Sequence, residues 1–248
     1  MKETRIIMGM PVTLEVVDEN VDQKILNEVF DYFIYIDEKF STYKSTSEIS
    51  AINRGEIDIE NFSEDMKVIF DLSKETKELT DGYFDIHKKD GTCDTSGMVK
   101  GWAIFNGAKI LSERGMKNFY INIAGDIQVS GNNIDGEPWK VGIQNPFNKL
   151  QESVKTLHLK NEGVATSGTY VRGDHIYNPK NNHEDMKDII SMTVIGPNIY
   201  EADRFATASF AMGHEGINFI EKLNGFEGYV IDTNGIATMT SGFNRYTK

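Results

Sequence analysis

Apolar and polar residues follow two rhythms along this chain, and the rhythm changes several times. Val12, Leu14 and Val16 alternate with Thr13 and Glu15, the two-residue period of a half-buried strand. The charged stretch Met1 to Arg5 leads into it. Ile25, Leu26, Val29, Phe30, Phe33 and Ile36 then recur three and four apart, which predicts an amphipathic helix to about Lys39. Asn20 and Gln23 have the spacing of a capping box at its start. Ser47 opens a short second helix ending near Gly55. Ser63 opens a third, with Met66, Ile69, Phe70 and Leu79 on its apolar side, stopped by the turn signal Thr80-Asp81-Gly82. Tyr83 to Ile86 reads as extended.

The segment from Asp94 to Ala103 reads as a glycine-bearing loop that opens a helix, through Ile110 and Leu111 to Gly115. Strands are predicted at Phe119–Ile123, Trp139–Ile143, Val154–Leu159 and Val164–Tyr170, and again at Ile189–Ile195. A helix follows from Tyr200 to Met212, stopped at Gly213, then one carrying Ile217, Ile220 and Leu223. Tyr229–Ile231 and Ile236–Thr240 form a hairpin over Asp232-Thr233-Asn234-Gly235. Strands and helices mix without regular βαβ alternation. That favours an α+β fold with mainly antiparallel sheets flanked by helices, one domain over residues 1–248.

Composition narrows the function classes. The 248 residues can bury a core without disulfide or metal staples. The net charge of -12 makes nucleic acid and anionic membranes poor partners. Cys93 is the one cysteine, so it is a reduced thiol or a bystander. No run of about eighteen apolar residues is present to span a membrane. With no signal-peptide pattern at the start of the chain, a cytoplasmic location is expected.

Two stretches carry candidate chemistry. Asp203 and Thr207 are four apart in the predicted helix, which stacks a carboxylate and a hydroxyl on one face. Both are hard oxygen donors of the kind Mg²⁺ takes, commonly with substrate phosphate completing its shell. Ala206, Ala208 and Ala211 beside them are small. The loop before Ala103 offers backbone N–H groups at a helix start, a setting that suits a phosphate, and Lys100 adds a point charge. It is neither a Walker loop nor a dinucleotide fingerprint.

The order of motifs resembles the ApbE family of FAD:protein FMN transferases. The matching pieces begin with Met8-Gly9-Met10-Pro11, Phe40-Ser41-Thr42-Tyr43 with Ser47-Glu48, and Thr80-Asp81-Gly82-Tyr83-Phe84-Asp85. They continue with Ser96-Gly97-Met98-Val99-Lys100-Gly101-Trp102-Ala103, Asn122-Ile123-Ala124-Gly125-Asp126 and Ala165-Thr166-Ser167-Gly168-Thr169-Tyr170. His175-Ile176 before Pro179, and Ala202-Asp203 with Thr207-Ala208, complete the set.

The resemblance implies a T-fold-like core and a flavin site. It places Mg²⁺ on Asp203, Thr207 and the carbonyl of Gly97. It places FAD, the substrate, against Met8, Tyr43, Asp81, Lys100, Thr166, Ser167 and Gly168. The implied reaction moves FMN from FAD to a threonine or serine hydroxyl of an acceptor protein and releases AMP; some relatives hydrolyse FAD to FMN and AMP instead. Phosphoryl transfer of this kind is mostly positioning and charge neutralisation. Asp203 serves it through the metal. His175 is the candidate proton acceptor, since an imidazole of ordinary pKa near 6.5 accepts a proton at neutral pH.

Three departures from the family pattern bear on that reading. The link from Ile86 to Asp94 is short where the family carries a long insert. Ala124 replaces a glycine, and Asn178 replaces an aspartate before Pro179. A flavin-binding protein with slow FAD hydrolysis, or none, is the alternative.

Overall fold

In the computed structural model, residues 1–148, 153–168, 178–180 and 188–247 are described. Ten strands and six α-helices occur among them. The strands are β1 (Lys2–Ile7), β2 (Met10–Val16), β3 (Phe119–Ile123), β4 (Asp126–Ser130) and β5 (Trp139–Ile143), then β6 (Lys155–Leu159), β7 (Gly163–Gly168), β8 (Ile189–Gly196), β9 (Glu227–Asp232) and β10 (Ala237–Met239). The helices are α1 (Gln23–Phe40), α2 (Glu48–Asn53), α3 (Glu64–Leu79), α4 (Ser96–Glu113), α5 (Ile199–Ala211) and α6 (Glu215–Glu221).

Eight strands form one sheet in the order β1-β2-β3-β4-β7-β8-β9-β10, and β5 pairs with β6. Each described pairing is antiparallel. The period-two pattern explains the layering. Along β4, Ile127 and Val129 enter a core closed by the β5–β6 hairpin, whereas Asp126 and Gln128 reach α4 and α5. The larger core lies between the other sheet face and α1, α3, α4 and α5, around Phe30, Phe33, Ile104 and Phe210.

The helix starts follow local chemistry. Ser47, Ser63 and Asn198 cap α2, α3 and α5 by accepting from backbone N–H groups. At α1 the cap is Asp22, whose Oδ1 accepts from Ile25 N at 2.9 Å, in place of the expected Asn20. The helix begins at Gln23, so Gln23 is its first residue and cannot close a capping box. Leu79 is 52% exposed, because it ends α3 beyond the last turn that packs on the core. Tyr83 to Ile86 forms no strand; the chain there bends and bridges His87 to Cys93. β4 was hidden because it is short and follows the β3 turn directly.

The expected glycine-bearing loop is mostly helix. α4 starts at Ser96, so Gly97, Lys100 and Gly101 lie in its first two turns. Three of its opening N–H groups already have acceptors: Ser96 N donates to Asp94 Oδ1, while Met98 N and Val99 N donate to Thr95 O. α4 is buried between α1 and α5. A Cβ on Gly107 would come within 2.7 Å of the Phe33 ring, so the α1 contact needs glycine there. Among the described residues no helix is long and apolar enough to cross a membrane.

Candidate functional site

Strand register collects the predicted residues at one end of the main sheet. β1 turns into β2 through Met8 and Gly9, with φ of 57° and 68°. The β3–β4 turn, Ala124-Gly125, lies beside it, because Ile123 pairs with Val12 and Ala124 N donates to Pro11 O. β7 runs antiparallel to β4, so its end at Gly168 reaches the same edge as Asp126. Gly168 in turn pairs with Ser191 near the start of β8.

α5 is seated there by two local features. Gln128 Oε1 accepts from Ile199 N at 2.8 Å, and Gly163 has no Cβ to strike the backbone of Asn198 and Ile199. α4 and α5 then meet through two matched i, i+4 pairs. Gly97 lies against Thr207, and Gly101 against Asp203, so the helices run antiparallel at the contact.

Hydrogen bonds lock this contact. Asp203 is 5% exposed, and its Oδ2 accepts from Gly101 N at 2.7 Å. Thr207 Oγ1 donates to Gly97 O at 3.1 Å and lies 3.4 Å from Ser167 Oγ. An α-helix ordinarily joins the N–H of residue 101 to the C=O of residue 97. Here each of those two groups also has a partner on α5. One carboxylate and three neutral oxygens therefore converge on one point of the helix pair. Such a set suits a hard cation that keeps positions for water and phosphate. No group of three His, Cys, Asp or Glu among the described residues is placed to hold a metal.

Beside this cluster Lys100 Nζ is 2.5 Å from Asp126 Oδ2. Asp126 Oδ1 accepts from Thr166 N at 3.3 Å. Asp126 closes the motif Asn122 to Asp126, and neither composition nor spacing marks it as functional. Its position directly after a two-residue turn was the available signal, because such a residue is delivered to the sheet edge.

The remaining candidates divide. Ser167 faces α5, while Thr166 faces the opposite side of the sheet and pairs with Thr193 Oγ1 at 2.8 Å. Gly168 falls on the Thr166 side by strand alternation. Met8 packs partly on the main core. Asp81 is exposed at the turn after α3 with φ of 50°, ion-paired to Lys180 at 2.7 Å. Phe84, three residues on, packs against the Gly97 position. Tyr43 is 98% exposed in the α1–α2 connection, where its backbone N–H faces Ser41 Oγ. His175, Thr169 and Tyr170 lie outside the described residues. Trp102 packs edge-on against Phe40, and Trp139 packs tilted against Tyr120, both against the cores. Cys93 is buried, and burial together with nearby Asp85 pushes its thiol pKa up, so it is a poor nucleophile.

A helix-flanked antiparallel sheet with this oxygen-lined helix pair belongs to a known class of α+β structures. It superposes on an ApbE protein of Thermotoga maritima with a TM-score of 0.88, at 20% identity, covering 100% of this chain and 99% of that one. It superposes on a structure of Vibrio cholerae described as flavin transferase ApbE with a TM-score of 0.85, at 21% identity, covering 99% and 98%. At that identity the likeness shows the fold. The chain belongs to the ApbE family, whose model matches residues 8–90 and 87–230. Among curated relatives, a Haemophilus influenzae protein named FAD:protein FMN transferase is 26% identical over 194 residues, which is 73% of this chain and 55% of the relative. A Vibrio cholerae protein of the same name is 31% identical over 130 residues, 49% of this chain and 39% of the relative. The chain thus spans about half the length, or less, of these curated relatives.

Proposed function

We propose that the chain transfers FMN from FAD to a threonine or serine hydroxyl of an acceptor protein and releases AMP. The observation that carries this reading is the convergence of Gly97 O, Asp203, Thr207 Oγ1 and Ser167 Oγ at the α4–α5 contact. Family membership and the names of the curated relatives support the flavin chemistry.

Asp203, Thr207 and the Gly97 carbonyl hold Mg²⁺ in this reading, and their mix of one charge with neutral oxygens fits it. When bound, the cation neutralises phosphate charge and lowers the barrier to displacement. The residues do the rest. Gly101 N–H fixes the Asp203 carboxylate. Lys100 and Ser167 line the flavin nucleotide from the α4–α5 side, and Thr166 and Gly168, on the other face of β7, reach it only where the strand ends at the sheet edge; Met8, Tyr43 and Asp81 complete its contacts. The acceptor oxygen bonds to the phosphorus on the FMN side of the pyrophosphate. The bond from that phosphorus to the bridging oxygen breaks, and AMP leaves with that oxygen. The hydroxyl proton passes to His175, the base assigned from sequence position.

A second reading, FAD hydrolysis to FMN and AMP without transfer, has one observation behind it. Between Ile86 and Asp94 the chain closes into a tight loop, with Lys88 N donating to Thr92 O and His87 bridging Cys93. That leaves little chain on this side to keep water away from the phosphorus. The two readings separate when the chain is incubated with FAD, Mg²⁺ and a domain bearing a flavinylation-type threonine. Mass spectrometry reads the acceptor while AMP is followed. A covalent FMN adduct is expected. AMP without an adduct favours hydrolysis, and neither product overturns both.

A further inference from the structure

Lys100 on α4 and Lys180 beside the turn after α3 are each paired with a carboxylate. Lys100, inside the first turns of α4, lies 2.5 Å from Asp126 Oδ2, a contact of opposite charges without hydrogen-bond geometry. Its side chain is 18% exposed and that of Asp126 is 3% exposed, so little water screens the pair. Asp126 is fixed from two sides. It follows the left-handed Ala124-Gly125 turn, and its other oxygen accepts from Thr166 N. Lys180, over the ring of Tyr83, is matched by Asp81 at 2.7 Å. Beyond these pairs the chain as a whole carries a charge of -12, which repels a dianionic pyrophosphate.

We propose that Asp126 masks Lys100, so that the site admits a pyrophosphate-bearing flavin only together with a divalent cation. The proposal rests on the flavin transferase reading and deepens it. An ammonium paired with a nearly buried carboxylate presents little net field to an approaching anion. The positive charge that a pyrophosphate requires then comes from the metal held by Asp203, Thr207 and Gly97. Binding of the two becomes coupled, and by linkage FAD strengthens the metal as much as the metal strengthens FAD. The arrangement keeps abundant mononucleotides and inorganic phosphates from occupying a metal-free site.

The test reads binding, not turnover. FAD affinity is measured by quenching of flavin fluorescence on the full chain, once in EDTA and once in excess Mg²⁺. In the parent chain the affinity ratio between the two conditions is large. Asp126→Asn keeps an oxygen for Thr166 N and unmasks Lys100. It is expected to bind FAD about tenfold tighter in EDTA and to shrink the ratio correspondingly, since one unit charge has been released in a poorly screened site. The double variant Asp126→Asn with Lys100→Met removes the unmasked charge and returns the ratio toward that of the parent. An unchanged ratio in Asp126→Asn, or an equal loss of affinity in both conditions, would overturn the proposal and make Asp126 a structural support. A parent chain that takes no FAD in either condition would overturn the transferase reading itself, a result no variant in the series can produce.

Discussion

Gly101 and Asp203 touch across the α4–α5 contact, the Gly101 N–H donating to Asp203 Oδ2 at 2.7 Å. The absence of a side chain at residue 101 makes that bond possible. A Cβ there would come within 2.5 Å of Asp203 Cβ and 2.8 Å of Ile199 O, and neither can move without shifting α5. Gly101→Ala is therefore expected to destabilise the chain by about 1–3 kcal/mol, as overpacking of a close helix contact does. Thermal unfolding checks this. A melting temperature equal to that of the parent would mean the two helices are not held at this distance.

Asp203 has two separable duties, and two substitutions divide them. Asp203→Asn keeps an oxygen for Gly101 N and loses the charge. It is expected to unfold close to the parent temperature while AMP release in Mg²⁺ disappears. Asp203→Ala also leaves the buried Gly101 N–H without this acceptor, at a further cost of about 1–3 kcal/mol. Calorimetry beside an AMP assay reads both effects. Full AMP release by Asp203→Asn would remove Asp203 from the metal set.

The i, i+4 spacing of Asp203 and Thr207 was legible in the sequence because helical periodicity alone puts them on one face. The same spacing in Gly97 and Gly101 marks the face they meet, but that segment reads as a loop, since two glycines lower helix propensity and tertiary packing overrides them. Period-two alternation could have separated Ser167 from Thr166, whereas the motif suggested one continuous surface. The Lys100–Asp126 pair could not be read, because Asp126 reaches α4 only once β3 and β4 have paired. Asp22 and not Asn20 caps α1 because, of the several acceptors before the helix, it is the one directly preceding Gln23 and within reach of Ile25 N.

Ala124 has φ of 51° in the β3–β4 turn, the left-handed region in which a Cβ costs about 1–2 kcal/mol. It is exposed, so no packing repays that cost. Ala124→Gly removes the strain but adds freedom to the unfolded chain, which returns about 0.4–1 kcal/mol. The net expectation is a gain of roughly 0.5–1 kcal/mol, seen as a melting temperature about 1–4 °C higher for a chain of this size. A lower melting temperature would mean that the alanine methyl makes a favourable contact in this turn.

Arg204, next to Asp203, anchors α5 to α3 from the buried side of the site. Its side chain is 6% exposed. Nε and Nη2 both donate to Glu201 Oε2, at 2.9 and 2.7 Å, and Nη1 donates to Thr76 Oγ1 at 3.1 Å and to Glu75 Oε1 at 3.2 Å. Burial opposes its charge, but Tyr200, Glu201 and Glu75 outweigh that and hold its pKa above the ordinary value. Arg204→Met fills much of the same volume and strips Glu201 and Thr76 of their donor. Because Glu201 keeps a 23% exposed side chain, water relieves part of the loss, and about 2 kcal/mol of destabilisation is expected rather than the full cost of a broken buried pair. The added double variant Arg204→Met with Glu201→Gln should recover part of that loss, since no carboxylate is then left without its partner. Urea unfolding of both variants measures the difference. An Arg204→Met chain as stable as the parent would show that α5 is held by its apolar face alone.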